Sequence, residues 1–272
     1  MEEFPPSDSG ATTRRRLLAG AAIVGAGGLA GCLGGRDGPV PAPEVTSDRV
    51  DDWRLLDDSR GTAFERSYGV VTARALERTR SYEFAPVADA LAATLDATAS
   101  PVVFFATRID LRPAVDRLPG DVGRDRVMSR VETAAADVFR DQLRDVGVET
   151  TEIADRGVST VMSGQTATVW RLTGEYALDG AASLPDGSTV DVTARVEAGA
   201  RLGVWHDGTD AIVAGGAYPT EPLLAVIDEA LPDDADAETV VTETADAAAA
   251  SALATDPADF DVDVSQLLIS VA

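Results

Sequence analysis

The clearest pattern in the chain is an alternation. Val190, Val192, Ala194, Val196, Ala198, Ala200, Leu202 and Val204 fall on every second position, with Asp191, Thr193, Arg195, Glu197 and Arg201 between them. A period of two puts one face of a strand in a core and the other in water, so this stretch predicts one long half-buried strand or a bent pair. Thr166 to Leu178 and the turn residues Pro185-Asp186-Gly187 precede it; Asp207-Gly208 and Ala211-Ile212-Val213-Ala214 follow. Asp-Gly between two such runs is a hairpin signature, and residues 158–218 therefore predict an antiparallel meander of about four strands. Trp53-Arg54-Leu55-Leu56 and Tyr68-Gly69-Val70-Val71-Thr72 point to two or three short strands within 50–84. The run Pro101 to Thr107 is continuously apolar up to Ala106 and reads as a buried central strand.

Helical spacing appears elsewhere. Val127, Val131, Ala134, Val138, Leu143 and Val146 define an amphipathic helix over Arg124 to Val146, stopped by Gly147. Pro86 ahead of Val87, Ala90, Leu91 and Leu95 predicts a shorter helix, and Glu221 to Leu231 a closing one. Together these elements predict an α+β domain over residues 49–232, an antiparallel meander packed by an amphipathic helix and a closing helix. After Pro232 the composition turns acidic and Ala-rich; residues 233–272 are expected either to dock or to trail, with Val262 to Val271 as a late strand.

Charge changes the picture next. The chain of 272 residues carries 46 Asp+Glu against 23 basic side chains, all of them Arg, for a formal net charge of −23, with a single Cys and a single His. This excludes a disulfide scaffold and a thiolate metal cluster, and a chain so acidic repels phosphate, so no nucleic-acid partner is expected. An acid excess with no Lys suits concentrated salt, where the Debye length shrinks to about 3 Å and self-repulsion is screened.

The first 31 residues describe an address rather than a fold. A basic patch at Arg14-Arg15-Arg16 leads into an uncharged, Gly- and Ala-rich stretch from Leu17 to Gly31. Fifteen helical residues reach about 22 Å, short of the hydrocarbon core of a bilayer, so the segment reads as an export signal and not a stable span. Thr13-Arg14-Arg15 with Leu17-Leu18 resembles a twin-arginine export signal, and Leu29-Ala30-Gly31-Cys32 resembles a lipobox. The resemblance implies cleavage before Cys32 and lipid on its thiol, which makes the membrane the partner of Cys32 and places the protein on the outer face of the cell membrane. Removing residues 1–31 takes away Glu2, Glu3 and Asp8 together with Arg14, Arg15 and Arg16, so the −23 belongs to the remainder. Residues 32–48, Gly- and Pro-rich, are expected to be a tether.

Gly164-Gln165-Thr166-Ala167 leading into Val169-Trp170-Arg171-Leu172, and Ala217-Tyr218-Pro219-Thr220 opening the last helix, make roughly residues 100–232 similar to uncharacterised lipoproteins of halophilic archaea. The layout also resembles the PsbP-like fold of small extracytoplasmic proteins. The resemblance implies a fold and a compartment and carries over no catalytic residue.

Chemistry is sparse. His206 lies in Trp205-His206-Asp207-Gly208 at a hairpin turn, without a Gly-x-Ser-x-Gly elbow to make it part of a triad. Asp256, Asp259, Asp261 and Asp263 lack the Gly and the bidentate Glu of a calcium loop and read as a solvated face. Arg74, Arg78 and Arg80 suit ion pairing, and Trp53, Trp170 and Trp205 suit core packing. No catalytic residue, metal or cofactor is assigned. The expectation is a non-catalytic binding or assembly module with an unidentified protein or small-molecule partner. The alternatives are a surface hydrolase using an Asp/Glu pair and a carrier of lipids or small molecules. Two carboxylates with perturbed ionisation in a cleft would favour the hydrolase, a deep apolar cavity the carrier, and an acidic surface with one exposed apolar patch the binding module.

Overall fold

A computed structural model describes residues 38–68, 71–112, 121–145, 147–208 and 210–272. Thr13, Arg14, Arg15, Leu17, Leu18, Leu29, Ala30, Gly31 and Cys32 lie outside the described residues. Among the described residues, seven strands and six α-helices follow one another as β1 (Trp53–Tyr68), β2 (Val71–Phe84), α1 (Ala85–Leu95), β3 (Val103–Arg112), α2 (Asp121–Asp145), β4 (Val148–Thr160), β5 (Thr166–Ser183), β6 (Thr189–Asp207), β7 (Asp210–Pro219), α3 (Leu223–Ala230), α4 (Ala237–Thr244), α5 (Ala247–Leu253) and α6 (Pro257–Ile269). The strands form one antiparallel sheet in the order β1-β2-β3-β7-β6-β5-β4. The fold is α+β.

The alternation from Val190 to Val204 is a single strand, β6, paired along its length with β5 from Thr168↔Val204 to Ser183↔Thr189. The turn between them closes on Gly187 at φ 85, a left-handed conformation that a side chain resists, while the Asp186 carboxylate accepts a hydrogen bond from the Ser188 N–H at 2.8 Å. Asp207 faces Asp210 across the β6–β7 hairpin, as the Asp-Gly motif predicts. Of the two or three short strands expected over 50–84, the structure has two, and both are long.

The faces of the sheet are assigned by neighbouring positions. Phe105 meets Phe139 of α2 with ring centroids 5.3 Å apart, while a Cβ on Gly216, a residue beside Phe105's partner Gly215, would lie 3.1 Å from Val264 of α6. So α2 and α6 cover opposite faces. Gly180 lies against the carbonyl of Leu95, which puts the end of α1 on the α2 face.

One open expectation is decided and two are corrected. Residues 233–272 dock and do not trail: Val240, Val241, Leu253, Phe260, Val264, Leu267 and Leu268 are all buried in the common core. Val262 to Val271 is not a strand, because the Asp256 side chain caps a helix that starts at Pro257, and Phe260, Val264, Leu267 and Leu268 recur at i, i+4, i+7 and i+8 on one stripe. Residues 38–48, expected to belong to a tether, are bound into the fold. Val40 and Pro43 are buried, Val45 bridges Val271, and Glu44 and Ala272 exchange two backbone hydrogen bonds of 2.9 Å.

Candidate functional site

Residues 38–46 lie along the α6 face of the sheet and end beside a group of arginines. Strand periodicity brings this group together: Arg78 and Arg80 on β2, and Arg108 and Arg112 on β3, all occupy alternate positions on the same face, with Arg78 opposite Arg108. Each finds a carboxylate. Arg78 donates to both oxygens of Asp58 at 2.6 and 2.8 Å, and Arg80 donates to Asp58 Oδ2 at 3.1 Å. These guanidinium bonds, Arg78 foremost, hold Asp58 down at about 2. Arg108 is buried and pairs with the buried Asp210 at 2.9 Å, while Arg112 pairs with Asp110 at 2.7 Å. Two of these arginines also hold the incoming chain: Arg80 donates to the Pro43 carbonyl at 3.3 Å and Arg112 to the Gly38 carbonyl at 3.5 Å.

A second polar constellation fastens α6. Arg201 on β6 donates two bonds of 2.6 Å to the Asp261 carboxylate, and the Tyr218 hydroxyl donates to the same carboxylate. The Arg201 bonds hold Asp261 below the ordinary carboxylate range. Burial, reinforced by Asp261, pushes Tyr218 up to about 12. Asp256 is a helix cap and Asp263 pairs with Arg49, so three of the four acids expected on a solvated face have structural partners.

His206 is half-buried near the β6–β7 turn. Trp53, Trp170 and Trp205 are buried: Trp53 packs edge-on against Phe84 at 5.6 Å, and Arg156 lies 5.2 Å over the Trp170 ring. The Arg74 side chain is not among those described. Glu77, half-buried, is raised above the ordinary carboxylate range by desolvation. A surface hollow of about 400 Å³ lies between α1 and α5, lined by Pro86, Ala90, Ala93, Ala249 and other alanines with the acids Asp89 and Asp246 at its edge. It is an open, largely apolar groove and not an enclosed cavity. Among the described residues no group of three or more His, Cys, Asp or Glu side chains is placed to hold a metal ion, and no helix is long and apolar enough to cross a membrane.

The alternating positions of Arg78, Arg80 and Arg108 could have shown the face they share. The partners could not be read, since Asp58 and Asp210 lie on strands whose neighbours only the topology reveals.

The chain is thus an α+β domain whose N-terminal segment is bound into the fold beside a set of paired arginines. Residues 41–264 match the family described as a domain of unknown function, DUF6517, and the chain belongs to that family. No curated protein and no solved structure matches it.

Proposed function

We propose that the protein is exported through a twin-arginine signal, lipidated on Cys32, and held on the outer face of the cell membrane as a non-catalytic binding or assembly module. The observation that carries this reading is the succession Thr13-Arg14-Arg15, Leu17-Leu18 and Leu29-Ala30-Gly31-Cys32, followed six residues later by the first bound residue of the domain, Gly38. Two acyl or isoprenoid chains would make the anchor effectively permanent, at about 0.8 kcal/mol per buried methylene. The absence of Lys and the acid excess suit a salt-rich exterior. The non-catalytic part rests on how the ionisable groups are used: Asp58, Asp110, Asp210 and Asp261 all bond to arginines. Among the described residues the raised Glu77 shares no hollow with a second raised carboxylate, and the groove beside α1 is too open for a carrier.

Cys32→Ser tests the reading. The variant should leave the membrane fraction for the medium, and the intact mass of the wild-type product should show lipid on an N-terminal Cys32. Unchanged membrane retention of the variant, or a bare thiol in a product that keeps residues 1–31, refutes it.

A further inference from the structure

We infer that the tip of the β4–β5 hairpin is a second contact with the bilayer, so that the domain stands on the membrane in one orientation instead of swinging on its tether. This deepens the anchoring proposed above and rests on it for its setting. Three independent observations point to the hairpin.

The first is exposure. Val158 and Met162 are 76% and 69% exposed, the two largest values among the exposed large apolar side chains of the described residues. The turn carrying Met162 is nonetheless rigid. Val161 is buried, its N–H donates to the Gln165 carbonyl at 2.9 Å, and the Met162 N–H donates to the Ile269 carbonyl of α6 at 2.8 Å. The fixed backbone therefore holds the Met162 side chain out in solvent.

The second is charge. No residue from Gly157 to Trp170 is charged, the longest such run from residue 38 onward in a chain that is one quarter charged. Arg156 and Arg171 flank the run. The last nine residues, Val264 to Ala272, are also uncharged, and they lie against the hairpin through the Met162–Ile269 bond. The acids are concentrated elsewhere: residues 221–263 carry thirteen Asp and Glu and no basic side chain. Arg156 is already paired with Glu132, so what sets the tip apart is its lack of charge, which fits an apolar interface where the acidic rest of this surface would be repelled by anionic headgroups.

The third is the position of the tether. Thr46 and Met162 both donate backbone bonds to consecutive carbonyls, Ser270 and Ile269. From there residues 43–38 run past Arg80 to Arg112, at the end of β3. In the order β3-β7-β6-β5 that end lies three strand spacings, about 14 Å, from the start of β5. Cys32 is six residues from Gly38 and can reach no more than about 20 Å beyond it. The anchor and the hairpin tip therefore belong to the same end of the molecule.

Cys32 is the only cysteine, so its thiol can be coupled to a maleimide-bearing lipid whether or not the cell lipidates it. The full chain with a free Cys32 thiol is attached in this way to phosphatidylcholine–phosphatidylglycerol vesicles containing lipids brominated near the headgroup end of the acyl chain. Met162→Trp is compared with Ser188→Trp, which sits in the opposite turn, both referenced to the unsubstituted chain. A tip seated about 5–10 Å into the interface should lose about half of its added emission, and Ser188→Trp almost none. Equal quenching at the two positions, or none at 162, overturns the inference. So does a concentration-dependent dimer in which the 162 probe is shielded, since the tip would then serve a second copy. A native product bare at Cys32 would remove the anchor while the coupled vesicles still decide the hairpin.

Discussion

Asp261 illustrates what a single acid does in this protein. In the sequence it is one of four aspartates spaced through residues 256–263; in the fold it receives both arms of Arg201 and the hydroxyl of Tyr218, tying α6 to β6 and β7. Removing its charge leaves a half-buried guanidinium with poorer partners, and Asp261→Asn should lower stability by about 1.5–3 kcal/mol in urea unfolding. Tyr218 adds a pH signature. Its hydroxyl keeps its proton in the folded chain up to about 12, against an ordinary value of 10.0, so the folded state binds that proton more tightly than the unfolded one. Its contribution is fully present below the ordinary value and is lost as the pH climbs through about 12. In a near-ultraviolet titration Tyr218→Phe should delete the late-ionising phenolate step. Loss of an early step instead would contradict the placement.

At the scale of elements, the strands were more legible than the helices. The alternation in β6 and the turns at Gly187 and Asp207-Gly208 are local properties, and the structure follows them closely. In α2 the same reasoning found the helix and part of its buried stripe. Val131 and Leu143 are buried as the spacing predicts, whereas Val138 is 54% exposed and Phe139, which packs on Phe105, is buried in its place. Helical spacing tolerates a shift of one residue; only the partner decides. The helix at 257–269 was hidden for a related reason: β-branched Val262 and Val264 suggest a strand until the Asp256–Pro257 cap is weighed. The site was less legible still: Asp110 and Asp58 lie on the same or the next strand but are picked out only by the register, and Asp210, the partner of Arg108, comes from a strand about a hundred residues on. Gly180 tests an element junction that the sequence does not advertise. A methyl group there would strike the Leu95 carbonyl, which is backbone and cannot turn aside. Gly180→Ala should cost about 1–3 kcal/mol, read as a lowered urea midpoint with the β5–β6 pairing kept.

For the whole molecule, the dominant fact is an uneven charge. The segment from α3 to α6 carries acids and no arginine of its own, and pairs with Arg49, ahead of β1, and with Arg201 of β6. Raising KCl from about 0.1 to 1 M shortens the Debye length from about 10 to about 3 Å. The melting midpoint should therefore rise with salt, and amide exchange in α3–α5 should slow more than in the sheet. A flat response would mean that the repulsion is already neutralised within the fold.

The backbone bonds between Glu44 and Ala272 have a further consequence. Residues 44 and 272 sit side by side, so the stretch between them is nearly a ring. Splicing it head to tail there and reopening it in the solvent-facing loop at 185–188 would preserve every ladder and every helix contact. The same closure means that a reporter fused after Ala272 would emerge beside residues 38–46, where it would compete for space with that segment.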